Sequence, residues 1–146
     1  DLPDLRFERR IGLAFSFTGE KLTGEDARYA LDQVMALRPD LEAVPWLTIM
    51  PAAHPEPHYK LIVASDQPVE DLDDLGKLLD KALCFRNREY ADKRRSGRLA
   101  VSDVVHLPFE EAVQRVGGQR ADRSWETQFK FLPLMTRTWD SPHSEE

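Results

Sequence analysis

The chain is poor in several of the features that announce a function. It has one cysteine, Cys84, among 146 residues. That excludes an internal disulfide and any cysteine-cluster metal site, and it fits a reducing compartment, so the expected location is cytoplasmic. No apolar run approaches the roughly eighteen residues that a membrane-spanning helix needs, so no membrane association is expected. The chain opens on Asp1 and shows no positively charged start followed by an apolar stretch, so no signal peptide is visible, and a piece of a longer protein is expected. Positive charge is in deficit: the net charge of -6 argues against a general nucleic-acid-binding domain, because phosphate binding draws largely on net-positive surfaces. There is no internal repeat, no nucleophile elbow and no glycine-rich phosphate loop of the P-loop or dinucleotide type.

What is present describes one globular domain. Hydrophobic residues make up 41% and charged residues 32% of the chain, and the length suffices to bury a core without staples. After a polar, proline-bearing start, Ile11, Leu13, Phe15 and Phe17 alternate with small residues, the period-two pattern of a strand with one buried face. Thr23 followed by Asp26 reads as a capping box, with Asp in the place of the usual Glu, and it predicts a helix. Ala27, Ala30, Leu31 and Val34 recur at helical spacing until Pro39 stops it. Two short apolar runs, 44–50 and 59–65, read as strands joined by a turn whose prolines, Pro51, Pro55 and Pro57, cannot continue a ladder.

A second helix is predicted from Leu72, Leu75, Leu78, Leu79, Ala82 and Phe85 behind a run of acids, continuing with or without a bend into RNREYADKRRSG. The run 99–107 reads as another strand, Pro108 as the opening of a further helix carrying Phe109, Ala112, Val113 and Val116, and Gly117 as its stop. In order, these elements match an α+β, ferredoxin-like (split βαβ) plan, with an antiparallel or mixed sheet, helices on one face, and an extra C-terminal helix and end segment. Such a fold hosts unrelated functions and settles no chemistry.

Each candidate site has a plain reading beside it. His54 and His58 have helical zinc spacing, but the prolines forbid that helix and no third ligand is near, so solvent-facing loop histidines and no metal are expected. Cys84, inside the second helix without a histidine partner, reads as a buried inert thiol. Six cations, Arg86, Arg88, Lys93, Arg94, Arg95 and Arg98, crowd thirteen residues and are able to meet an anion; the commoner situation is a helix end whose cations complement its dipole. Glu20 and Lys21 sit in the turn GEKLT, by itself a solvated loop. Lys130 lies between Phe129 and Phe131, which by pattern is a strand lysine facing water while the phenylalanines face a core.

Three segments carry a resemblance. LRFERRIGLAFSFTGEKLTGED, with Phe7, Arg10, Gly19, Glu20, Lys21, Leu22 and Thr23, resembles the crossing into the carboxy-terminal domain of the GH3 family, adenylate-forming acyl-acid amido synthetases. NREYADKRRSGRL resembles that family's structural pattern at Asn87, Tyr90 and Arg94, followed by Gly97 and Leu99. GGQRADRSWETQFKFLP resembles its ending at Gln128, Phe129, Lys130 and Pro133. The three occur in the family's order, from Phe7 to about Met135. Two departures stand out: Gly24 and Glu25 replace the acidic residue expected directly after Thr23, and Leu132 intervenes before Pro133.

The resemblance implies residues 1–10 as a linker or hinge from an amino-terminal adenylation domain, 11–140 as a small lid domain and 141–146 as a loose tail. It implies that the full-length enzyme uses ATP and Mg to adenylate a small carboxylic acid. An amino acid or other amine then displaces AMP to form an amide. In this scheme the chain is inactive alone and holds no cofactor itself. Lys130 is the expected catalytic lysine, reaching the phosphate and carboxylate oxygens as charge develops. Arg10, Glu20, Lys21 and Gln128 are expected on the hinge or nucleotide side. The alternative is a freestanding ferredoxin-like module that binds a ligand or dimerises without catalysis.

Overall fold

The structure is a computed structural model in which residues 14–15, 19–116, 133–135 and 138–139 are described. The chain runs β1 (Ala14–Phe15), β2 (Leu22–Thr23), α1 (Gly24–Leu37), a 3-10 turn (Pro39–Ala43), β3 (Trp46–Ala52), β4 (His58–Ala64), α2 (Leu72–Arg86), α3 (Arg88–Ser96), β5 (Asp103–Leu107) and α4 (Phe109–Val116). This is the expected α+β, ferredoxin-like arrangement, with a mixed sheet of order β3-β4-β5. β3 and β4 form an antiparallel hairpin, and β5 returns parallel to β4 after the helical crossover. The pairing has one particular feature. β5 hydrogen-bonds to β4 directly, whereas a fully split plan sets the first strand between them; here β1 instead makes a separate two-stranded ribbon with β2, pairing Ala14 with Thr23 and Phe15 with Leu22.

Side-chain alternation along the strands divides the core in two. Ile49, Tyr59, Leu61 and Val63 face one way and meet Ala27, Ala30, Leu31 and Val34 of α1 and Leu75, Leu79 and Leu83 of α2. Met50, Ile62, Ala64 and Leu107 face the other way, where Ala112, Val113 and Val116 of α4 and Met135 and Trp139 of the end segment cover them. Each fully buried aliphatic or aromatic side chain in these layers contributes about 1.5–3 kcal/mol. The end segment also lies along the free edge of β3: Ile49 N donates to the Pro133 carbonyl at 2.9 Å, Met135 N donates to Ile49 O at 2.8 Å, and Trp139 N donates to Pro51 O at 2.7 Å.

Those bonds explain a correction to the strand boundaries. Pro51 lies inside β3, paired with Tyr59, instead of in the turn. Its carbonyl points to the outer edge, away from β4, so its missing N–H falls on that edge and removes no bond from the hairpin ladder.

The helices begin and end for local reasons. Thr23 and Asp26 form the expected capping box, each accepting from the other's backbone N–H at 3.1 Å. At the other end of α1, Arg38 reaches back to the start of α2, donating to the carbonyls of Glu70 (2.7 Å) and Asp71 (3.3 Å) and to Asp74 (3.1 Å), as well as to Asp40. This clamp holds the two antiparallel helices at one end, and hydrogen bonding to Asp40 raises the Arg38 pKa against the opposing effect of burial. α2 does not run on into the basic segment. It stops at Arg86, and Asn87 serves both as its last cap, donating N–H to Leu83 O, and as the first cap of α3, accepting from Tyr90 N at 2.9 Å.

No described helix is long and apolar enough to cross a membrane.

Candidate functional site

The turn GEKLT and the segment beginning at Asn87 come together on the α1–α2 side of the sheet. Gly19 takes a left-handed φ of 106°, which leads the chain into Glu20. Glu20 is buried and accepts a 2.7 Å hydrogen bond from the Tyr59 hydroxyl on β4. A turn read from sequence as a solvated loop therefore drives its carboxylate into the core. Burial, and then the carboxylate beside it, pushes the Tyr59 phenol well above its ordinary range, so it stays protonated and donates.

Lys21 is held by its backbone. Its N–H donates to Glu89 Oε1 of α3 at 2.9 Å, and its carbonyl accepts from Asn87 Nδ2 at 2.7 Å, while its side chain stays exposed. The same Asn87 amide donates to Asp26 Oδ2 at 2.9 Å, and Arg86 Nε donates to Asp26 Oδ1 at 2.9 Å. Burial opposes the Asp26 charge. The hydrogen bonds from Arg86, Thr23 and Asn87 outweigh it and hold the carboxyl below the usual aspartate range.

Tyr90 and Arg94, one turn apart on α3, converge on Asp80 of α2. The Tyr90 hydroxyl donates to Asp80 Oδ1 at 2.6 Å and lies 2.9 Å from Ser102 Oγ, and Arg94 Nε reaches both Asp80 oxygens at 2.9 and 3.1 Å. Ser102 N also donates to Asp80, at 3.2 Å. Burial and the Asp80 charge raise the Tyr90 pKa strongly, and the hydrogen bond to Asp80 raises that of Arg94. The Tyr59 and Tyr90 rings pack at 5.9 Å, which joins the Glu20 pair to the Asp80 cluster.

This constellation is a scaffold first. Its tyrosines are protonated, and its Asp80 and Asp26 carboxylates are saturated by donors. Chemistry with an outside group falls to cations on its surface. Lys21 and Arg88 are exposed, and the Lys93 ammonium crosses the turn so closely that a side chain on Gly19 would meet it at 3.5 Å. Arg86 and Arg94, by contrast, are engaged within the fold, so the basic segment is not a uniform cationic face.

Among the sequence-predicted residues, the structure brings Glu20, Lys21, Asn87, Tyr90 and Arg94 into one assembly. Arg10, Gln128 and Lys130 lie outside the described residues. Tyr59, Asp26, Asp80 and Ser102 were not expected in it. Asp80 carried a signal: an acid on the stripe of α2 that also holds Leu75, Leu79 and Leu83 needs a buried partner.

A second polar group lies on the opposite face of the sheet. His58, expected in a solvent-facing loop, is instead the buried first residue of β4, with Nδ1 at 2.6 Å from Glu56 O and Nε2 at 3.4 Å from Asp103 Oδ1; His54 is exposed as expected. The parallel pairing of β4 and β5 places His58 and Lys60 beside Asp103, and Lys60 Nζ binds both Asp103 oxygens at 2.9 and 3.0 Å. Burial works against the Asp103 charge, but His58 and Lys60 prevail and lower its pKa. Among the described residues no group of three or more His, Cys, Asp or Glu is disposed to hold a metal ion. Cys84 is half-buried, and burial, followed by the nearby Asp80 charge, pushes its thiol up, away from the reactive thiolate.

Neither the protein-family models nor the curated proteins include a match to this chain.

Proposed function

We propose that the chain is the mobile carboxy-terminal domain of a GH3-like, ATP-dependent acyl-acid amido synthetase. In this reading an amino-terminal domain binds ATP, Mg and a small carboxylic acid, and this domain closes over it to supply Lys130 to the adenylation step. An amino acid or amine then takes the acyl group.

The observation that supports the reading is the interlocking of two of the resembling segments. GEKLT and Asn87-Tyr90-Arg94 lie 66 positions apart at the Lys21–Asn87 bond, yet the residues that carry the resemblance bond to one another or to shared partners. Residues picked out by a family pattern are expected to depend on one another in this way when the pattern maintains a fold. The third segment is supported only at its end, where Pro133 is fixed to β3.

In the scheme proposed, a long flexible cation meets charge developing on the acyl phosphate in a site from which water is excluded, a contribution of several kcal/mol. The GEKLT turn, anchored through Glu20 and the Lys21 backbone, gives the hinge a rigid far side, and the exposed Lys21 ammonium is free to face the nucleotide.

The test is carboxylate-dependent pyrophosphate release by the chain joined to its amino-terminal adenylation domain. Lys130→Ala is expected to lower that rate by about a hundredfold or more, with the domain's unfolding midpoint unchanged. An unchanged rate ends the role of Lys130. A reading frame that encodes this chain without an adenylation domain ends the ligase reading and leaves the freestanding module.

A further inference from the structure

α1 and α2 lie side by side over the sheet, and the surface that they turn outward is not polar throughout. Tyr29 and Leu37 of α1, with Leu78, Ala82 and Phe85 of α2, line a shallow groove of about 290 Å3. Phe85 is 81% and Leu37 63% exposed, and these are two of the three large hydrophobic side chains exposed among the described residues. The Phe85 ring is stacked on Tyr29, with centroids 6.2 Å apart and planes 19° from parallel, so an aromatic pair stands at one end of the groove and an aliphatic pair, Leu37 and Leu78, at the other. Apolar surface gathered between two helices in this way favours burial against another protein surface.

The exposed charges of the two helices identify the partner. Arg86 is paired within its own chain. The remaining exposed charged residues of the two helices are Glu25, Arg28 and Asp32 on α1, and Asp73, Lys77 and Lys81 on α2, and of these Lys81 lines the groove itself. Over these exposed charges α1 is net negative and α2 net positive, so the face is complementary to itself.

We propose that this face binds a second copy of the chain about a two-fold axis running parallel to the helices, so that α1 of each copy lies on α2 of the other. The pairing closes the Tyr29–Phe85 pairs of the two copies into one four-ring cluster, lays Leu37 of each on Leu78 of the other, and sets Asp32 of each beside Lys81 of the other. A two-fold axis crossing the helices would bury the same apolar surface. It would lay α2 on α2, with Lys77 and Lys81 of the two copies opposed, and like charges so placed disfavour it. The pairing uses neither the GEKLT turn nor Lys130, and it holds whether or not the ligase reading does.

The experiment is sedimentation of the intact chain across a micromolar concentration range. A reversible monomer–dimer equilibrium is expected. Phe85→Glu, at an exposed position where the fold is not at risk, raises the dissociation constant by more than about tenfold while the circular dichroism spectrum is unchanged. Lys81→Glu weakens the dimer, and Asp32→Lys in the same chain restores it. A monomer at every concentration overturns the proposal and assigns the face to another partner. A dimer indifferent to Phe85→Glu places the contact elsewhere, and a charge swap that fails to restore it rejects the proposed orientation.

Discussion

At the scale of single residues, Gly76 shows packing overruling propensity. It sits in the middle of α2, where alanine is ordinarily better by about 1 kcal/mol. A Cβ there would lie 2.9 Å from the Ser102 carbonyl oxygen and 3.3 Å from Asp103 Cα, both backbone atoms at the entry to β5. The helix approaches the strand that closely only because the side chain is absent. Gly76→Ala is therefore expected to destabilise the fold by about 1–3 kcal/mol in urea unfolding. Gly24→Ala is the control: nothing lies within 4 Å of its Cβ, and the change is expected to stay within about 0.5 kcal/mol. A stabilised Gly76→Ala variant would show that α2 and β5 separate easily. No pattern in the sequence marks Gly76, because the constraint comes from the entry to β5 at Ser102, 26 positions further on. Arg38 was hidden in the same way, since the carbonyls it gathers, of Glu70 and Asp71, belong to the residues that lead into the next helix.

At the scale of elements, α3 is docked by polar contacts more than by apolar area. Tyr90 is its one buried residue, and Arg94 carries the second attachment, both on Asp80. Removing either donor leaves Asp80 with the other, whereas removing Asp80 takes the carboxylate from both at once and leaves the Tyr90 hydroxyl only Ser102 and the Arg94 guanidinium only the Leu99 carbonyl. Tyr90→Phe, which keeps the ring against Tyr59, is expected to cost about 0.5–1.5 kcal/mol. Asp80→Ala is expected to cost about 3–5 kcal/mol, as when one partner of a buried ion pair is removed. Equal losses in the two variants by urea unfolding would remove Asp80 from the centre of the cluster. Here sequence pattern went part of the way. The capping box at Thr23 and the apolar stripes of α1 and α2 were legible because they are local and periodic. The break at Asn87 was not: helical spacing continues across it, and what turns the chain is the pull of Asn87 on Lys21 O and Asp26, which the fold alone brings near. Pro51 misled for a related reason, since a proline is excluded from a ladder only on the side where its N–H would be needed.

At the scale of the whole molecule, the α+β class followed from the order of elements, while the direct pairing of β5 with β4 depended on long-range competition for a sheet edge that periodicity does not encode. Two carboxylates couple these distant parts. Asp26 joins the start of α1 to the α2–α3 junction, and Asp103 joins β5 to β4 through Lys60 and His58. Both have folded pKa values below the ordinary aspartate value, despite burial. A depressed folded pKa means that the unfolded chain takes up protons first as acid is added. The stabilisation is then complete above the unfolded value of about 3.9 and is lost as the pH falls through the lower folded value. Stability measured by urea unfolding should change little from neutral pH down to about 5 and then decline steeply. Asp26→Asn keeps the shape but not the charge. It is expected to lower stability at neutral pH by about 1–3 kcal/mol and to flatten the acid decline, since the difference from wild type vanishes once Asp26 is protonated in both states. Asp103 is more exposed, so Asp103→Asn should flatten the decline less. A decline of undiminished slope in Asp26→Asn would mean that the linkage resides in other carboxylates and that Asp26 contributes through neutral hydrogen bonds alone.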